Sequence, residues 1–256
     1  MEAYEFPDDV ELAGETEELF DRAGHSHGAL KYVDLNLVWR PRGSSSVYYK
    51  RFVPKGGAEI RDVCAYRFDQ AMGFGYVPKT IWREHEGAYG SLQAWLPGQF
   101  VPWDPPPDND PIQGRPSLQR VGEETAVELW LLDAVLMNVD SVWTNYLWCE
   151  QTEQAARIDN RECLPPPEFV VQAKDPPASQ YNWPLPWWRG LLHGRPLPES
   201  LLGRLAAIDW PGLIDGWCAL GLEEAAGAAA EGRARTLLKT GIVDTEALWG
   251  LRDPYQ

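Results

Sequence analysis

The sequence predicts an α+β chain in two lobes, a β-rich first half carrying one helix and a mostly helical second half carrying one hairpin. Three observations predict it. Apolar and polar residues alternate with period two in "ALKYVDLNLVW" (29–39), the pattern of a half-buried strand. Beyond residue 117, long stretches place apolar residues at helical spacing instead. Between the halves lies "VPWDPPPDNDPIQGRP" (101–116). Proline fixes φ and lacks an amide donor, so this segment belongs to neither a helix nor a central strand and marks a boundary.

The elements follow in order. After the first strand run, "RPRGSSS" (40–46) is a turn cluster and "VYYKRF" (47–52) a second β-rich run. In "GGAEIRDVCAYRFDQAMGFG" (56–75), Ile60, Val63, Cys64, Phe68, Ala71 and Met72 recur at helical spacing, with Gly57 near the start and Gly73 at the end. Two further strands in 76–98 are joined through "EGAYG". Past the linker, "SLQRVGEETAVELWLLDAVLMN" (117–138) reads as a buried helix, and "YLWCEQTEQAARID" (146–159) as strand, turn, strand. A second Pro-rich region at 164–198 precedes three helical segments, 199–209, 210–221 and 222–241. The expected division is an acidic arm at 1–23, a first lobe at 24–100, a linker at 101–117 and a second lobe at 118–256. The arm is expected to be solvated and partly mobile, because it is dense in Asp and Glu.

Composition narrows the function. With 44% hydrophobic and 24% charged residues, the 256-residue chain is ordinary globular material with enough length for a full core. A formal charge of −15 argues against a nucleic-acid surface and against an anionic membrane surface. No apolar run approaches the ~18 residues of a membrane span, and the acidic N-terminus is no signal peptide. Cys64, Cys149, Cys163 and Cys218 are far apart without a CxxC, so neither a zinc site nor a disulfide framework is expected, and the cytoplasm is the expected setting. Trp183, Trp187 and Trp188 cluster among prolines, as a packed loop or as a docking surface.

The residues that carry chemistry fall in a telling order. Phosphoryl transfer from a nucleotide needs a cation on the phosphates, carboxylate and carboxamide ligands for magnesium, and a carboxylate for the acceptor hydroxyl. Lys50 lies in a β-rich run just before the first helix, where Glu59 and Asp62 are one turn apart. Asp140 follows the buried helix, Asn145 opens the next strand, and Asp159 ends the hairpin. Asp133, inside the buried helix, needs a partner and is placed to bond the Asp140 loop.

That order resembles the protein-kinase-like superfamily, and its spelling is closer to the HipA-like kinases and the bacterial phosphatidylinositol 3- and 4-kinase-like proteins. Their catalytic loop, Asn-x-Asp-Arg-x-x-x-Asn, is similar to Asn138, Asp140 and Asn145; their Ile-Asp-Asn/His-Gly strand is similar to Ile158, Asp159 and Asn160. "RDVCAYRFDQAMGFGYVP" looks like the family's acidic helix, "SLQAWLPG" like its interlobe strand, and "GHSHGALKY" stands where its phosphate-covering loop would be. The resemblance spans about residues 24–160 and implies a bilobal protein-kinase-like fold that uses ATP and Mg²⁺. It implies that Asp140 orients the acceptor hydroxyl, that Asn145 and Asp159 ligate Mg²⁺, and that Lys50 bridges phosphates, paired with Asp62 or Glu59. Ser26, His27 and Gly28 would lie over the phosphates. The acceptor implied is a hydroxyl, on a protein rather than a lipid, with a small molecule as the other option. The chain departs from the pattern at Ser141, Val142 and Arg161, where the family has Arg, a polar residue and Gly. These departures keep two alternatives open, an inactive scaffold of the same fold and an AMP transferase.

Overall fold

The computed structural model describes residues 5–20, 26–44, 53, 57–102, 121–141, 143–167, 192–244 and 248–249. Its first half is a five-stranded antiparallel sheet in the order β1-β2-β3-β5-β4. The strands are β1 (Thr16–Phe20), β2 (Ser26–Tyr32), β3 (Leu37–Pro41), β4 (Thr80–His85) and β5 (Ala88–Ala94), with helix α1 (Ala58–Met72) between β3 and β4. The run 29–39, expected as one strand, is two. The polar turn formers Asp34 and Asn36 break it into a hairpin that pairs Leu30 with Trp39, and Asn36 takes a left-handed φ of 50°.

The acidic arm is not a free arm. Thr16–Phe20 is an edge strand of the sheet, and the segment before it crosses the sheet toward β4 at the opposite edge. Phe6, Val10 and Leu12 pack on the cluster of Tyr32, Leu37, Trp39 and Leu92. Lys79 pairs with Asp8 at 2.8 Å and Glu5 at 3.5 Å, and Arg83 donates to the Val10 carbonyl at 2.7 Å. Exposed ion pairs are worth little, so the three apolar side chains hold this segment and the cations set its register.

The second half begins with a short strand β6 (Val101–Pro102), which pairs with β7 (Tyr146–Cys149), itself paired with β8 (Gln154–Arg157). Helix α2 (Glu123–Leu136) precedes the hairpin, and α3 (Glu199–Ala206), α4 (Trp210–Cys218) and α5 (Glu224–Thr240) follow it. α2 is buried nearly all round, from Ala126 to Leu136, as its unbroken apolar run requires. The main core joins α2 to α5, Trp210, Trp217 and the apolar face of α1. A smaller cluster links the lobes, with Ala94, Leu96 and Phe100 packed on Leu147, Cys149 and Ala156. The α+β class and the division into a β-rich lobe with one helix and a mostly helical lobe therefore hold. The four cysteines are unpaired, and no helix among the described residues is long and apolar enough to cross a membrane.

Candidate active site

α2 stops at Met137, whose left-handed φ of 49° turns the chain out of the core. Asn138 then pins the loop from inside. Its Oδ1 accepts from the Asp140 amide at 3.1 Å and its Nδ2 donates to Asn160 Oδ1 at 3.1 Å. A single 3-10 turn, Trp143–Asn145, brings the chain back. Asn145 Nδ2 thereby reaches the Asp140 carbonyl at 2.9 Å and the Asp140 carboxylate at 3.1 Å. The five-residue offset of Asp and Asn is the offset this closed loop needs.

Beneath the loop lies a buried polar support. Asp133 on α2 accepts from Ser141 Oγ at 2.8 Å, from the Tyr146 hydroxyl and from Arg157 Nε at 3.1 Å. Arg157 also donates to the main-chain carbonyls of Asp140 at 3.4 Å and Ile158. Its guanidinium thus braces the loop from β8, while Ser141 occupies the position where the resembled family has Arg. Burial works against the Arg157 charge, but Asp133 and then Tyr146 and Asp140 outweigh it and raise its pKa.

Asp159 follows β8 with a left-handed φ of 57°. Arg161 holds both its oxygens, through Nε at 2.6 Å and Nη2 at 2.9 Å. The intervening Asn160 amide donates to Asp62 Oδ1 on α1 at 2.9 Å, which ties this turn to the first lobe. The second Asp62 oxygen is buried with no hydrogen-bond partner among the described residues. Of the two helix acids, Asp62 faces this centre. Glu59 is buried one turn earlier, where Oε2 accepts from the Gly43 amide at 3.2 Å.

Charge separates the carboxyl groups. Burial, reinforced by the Asp159 charge, lifts Asp140 to about 6. Burial also opposes ionisation of Asp159, but Arg161 overcomes it and, with Arg40 and Arg157, holds Asp159 well below the usual carboxylate range. Glu162 rises to about 8 through burial and the charges of Asp140 and Asp159, and Asp62 to about 6 through burial. Neighbouring acids pushed apart in this way can divide the labour, Asp140 exchanging a proton and Asp159 staying a fixed anion.

The expected phosphate-covering residues fall at the start of a strand. Ser26, His27 and Gly28 open strand β2, with Ser26 opposite Phe20. Gly28 has a φ of 60°, and a Cβ there would come within 2.7 Å of the Ser44 Cβ, so its lack of a side chain serves packing against Ser44. Lys50, Val142 and the Trp183–Trp188 cluster lie outside the described residues.

Arg40, Arg157 and Glu162 were missed in the sequence. Arg40 is on β3, the strand preceding α1, where Asp62 and Asp159 act on its charge and Nη1 donates to Gln93 Oε1 at 3.2 Å. The signal available was "LVWRP", an Arg at the end of an apolar strand run. For Arg157 it was a cation inside the half-buried run "QAARID".

The donors beside Asp140 are hard oxygens, the carboxamide of Asn145 with the carboxylate of Asp159, and that chemistry suits a small divalent cation. Among the described residues, no three His, Cys, Asp or Glu side chains form a ready cage, and Arg161 occupies Asp159. No family model matches the chain, and no curated protein does. Among solved structures, the Helicobacter pylori proinflammatory kinase CtkA is similar over 96% of each chain, at 12% identity and a TM-score of 0.45. A likeness of that size carries nothing about activity.

Proposed function

We propose that the protein is a phosphotransferase of protein-kinase-like, HipA-like type that moves a phosphoryl group from ATP to a hydroxyl. The observation that carries this reading is the closed Asp140–Asn145 pair, with the charge of Asp159 acting on Asp140 and that of Arg40, from the first lobe, acting on Asp159. Phosphoryl transfer asks a protein chiefly for positioning and for charge neutralisation. Asp140, lifted to about 6, is tuned to orient an acceptor hydroxyl and take its proton near neutral pH. Asn145 and Asp159 would hold Mg²⁺, which when bound neutralises phosphate charge. Arg40 takes the phosphate-pairing role first expected of Lys50. Its fixed fork suits phosphate oxygens better than a point charge does.

The acceptor favoured is a protein hydroxyl. A net charge of −15 speaks against an inositol phospholipid headgroup. A second reading, a weakly active or inactive homologue, is favoured by one observation, the grip of Arg161 on Asp159. The test is incubation with Mg²⁺ and ATP labelled at either the α- or the γ-phosphate, offering the chain itself and a protein extract as acceptors. Transfer of γ-label, lost in Asp140→Asn with circular dichroism unchanged, is the expected result. Transfer of α-label would turn the reading to AMP transfer. Absence of both, in a protein that still binds ATP, would leave the scaffold.

A further inference from the structure

We propose that Arg161 is a built-in rival of the divalent cation: it pairs with both oxygens of Asp159 and must move to Asp62 for a metal to bind there. The inference rests on the reading of Asp159 as a metal ligand and adds what governs loading of that ligand.

Three observations carry it. First, the Arg161 guanidinium meets both oxygens of Asp159, at 2.6 and 2.9 Å, and the Arg161 side chain is only 6% exposed. A divalent cation on the same carboxylate would sit against a guanidinium that water scarcely screens, so the two cations exclude one another. Second, the main chain around Arg161 is fixed. The Asn160 amide is held by Asp62, the Asn160 side chain by Asn138, and the Leu164 amide by the Leu136 carbonyl. Arg161 therefore leaves by side-chain rotation rather than by loop opening. Third, an acceptor is waiting. Asp62 Oδ2 is buried with no hydrogen-bond partner among the described residues, while Oδ1 of the same carboxylate is bonded to the turn that carries Arg161. Asn160, whose amide Asp62 holds, is the residue next to Arg161, so the second seat adjoins the first. A buried carboxylate oxygen without a partner needs a reason, and a second seat for the guanidinium supplies one.

The consequence is a site whose metal affinity is set by the position where the resembled family carries glycine. Loading of metal then couples to α1 in the first lobe, because Asp62 belongs to that helix.

The experiment titrates Mn²⁺ alone, read by electron paramagnetic resonance of the free ion, against wild type, Arg161→Gln, Asp159→Asn and Asp62→Asn. The glutamine keeps a donor for one Asp159 oxygen without the charge, which protects folding; melting curves of each variant are recorded alongside. Arg161→Gln is expected to bind Mn²⁺ ~10–100-fold more tightly than wild type, the range in which neighbours of metal ligands act. Asp159→Asn should abolish that gain. Asp62→Asn should weaken Mn²⁺ in wild type and leave Arg161→Gln unaffected, since only wild type needs the second seat. Equal Mn²⁺ affinity of wild type and Arg161→Gln, both lost with Asp159→Asn, overturns the rivalry while the metal reading of Asp159 stands. Equal weakening by Asp62→Asn in both backgrounds overturns the move to Asp62. Failure of every variant to bind Mn²⁺ removes the metal reading and this inference together.

Discussion

Arg157 donates through Nε to Asp133 at 3.1 Å, and both side chains are sealed from solvent inside the second lobe. This pair links α2 to β8 directly below the Asp140 loop. Its arrangement matters more than its attraction, because desolvation offsets much of a buried pair's Coulomb energy.

Breaking one side of the pair is therefore costlier than replacing both. Asp133→Leu should destabilise the fold by about 3–5 kcal/mol, leaving Arg157 charged and buried without its partner. Asp133→Leu with Arg157→Met should recover much of that loss. Urea unfolding of the four species forms a double-mutant cycle. Simple addition of the two single effects would show that the pair is not coupled.

Asp140→Asn should lose transfer activity and gain stability at neutral pH. Burial and the Asp159 charge raise Asp140 to about 6 in the folded chain, against ~4 for an unfolded Asp. The folded state thus binds the proton more tightly, and this contribution to stability is present below pH ~4 and lost as pH rises through about 6. Removing the charge restores roughly 1–2 kcal/mol above pH 6 and little at pH 4. Melting temperatures of both proteins across pH 4 to 8 check it, the gap being expected to open with rising pH.

Nucleotide affinity should depend on Arg40. Arg40→Ala is expected to weaken ATP by ~10-fold or more, the loss of a charge-assisted fork of about 1.5–3 kcal/mol. Lys50→Ala, measured beside it by calorimetry, should have the smaller effect. The reverse order would return the phosphate role to Lys50.

Gly90 lies where two strands approach closely. A Cβ at this position would stand 2.2 Å from the Arg40 carbonyl oxygen and 2.8 Å from the Trp39 ring. Gly90→Ala should cost roughly 1–3 kcal/mol by overpacking and disturb the strand end that carries Arg40. Gly98→Ala, with nothing within 4 Å of its Cβ, is the control and should be near neutral.

Local pattern carried much of the fold. Helical spacing of Ile60, Val63, Cys64, Phe68 and Met72 bounded α1, and Gly73 closed it in the left-handed conformation. The Pro-free apolar run of α2 and the three helices after residue 198 were equally legible, because burial of a helix face writes itself at a period of 3.6. Less legible were the hairpin between β2 and β3, where Val33 and Leu35 continued the alternation through the turn, and the arm, where Phe6, Val10 and Leu12 were diluted by acids.

The sequence by itself determined which residues could meet locally: Asp140 with Asn145 across one short turn, and Asp159 at the end of the hairpin. Only the tertiary structure decided which charges surround them. Asp62 lies 98 residues from the amide it accepts from, and Arg157 24 residues from Asp133. Pairings of that span leave no periodic trace in the chain, because they arise from packing of whole elements. Desolvation by that packing then turns a carboxylate from an ordinary surface acid into one held near 6.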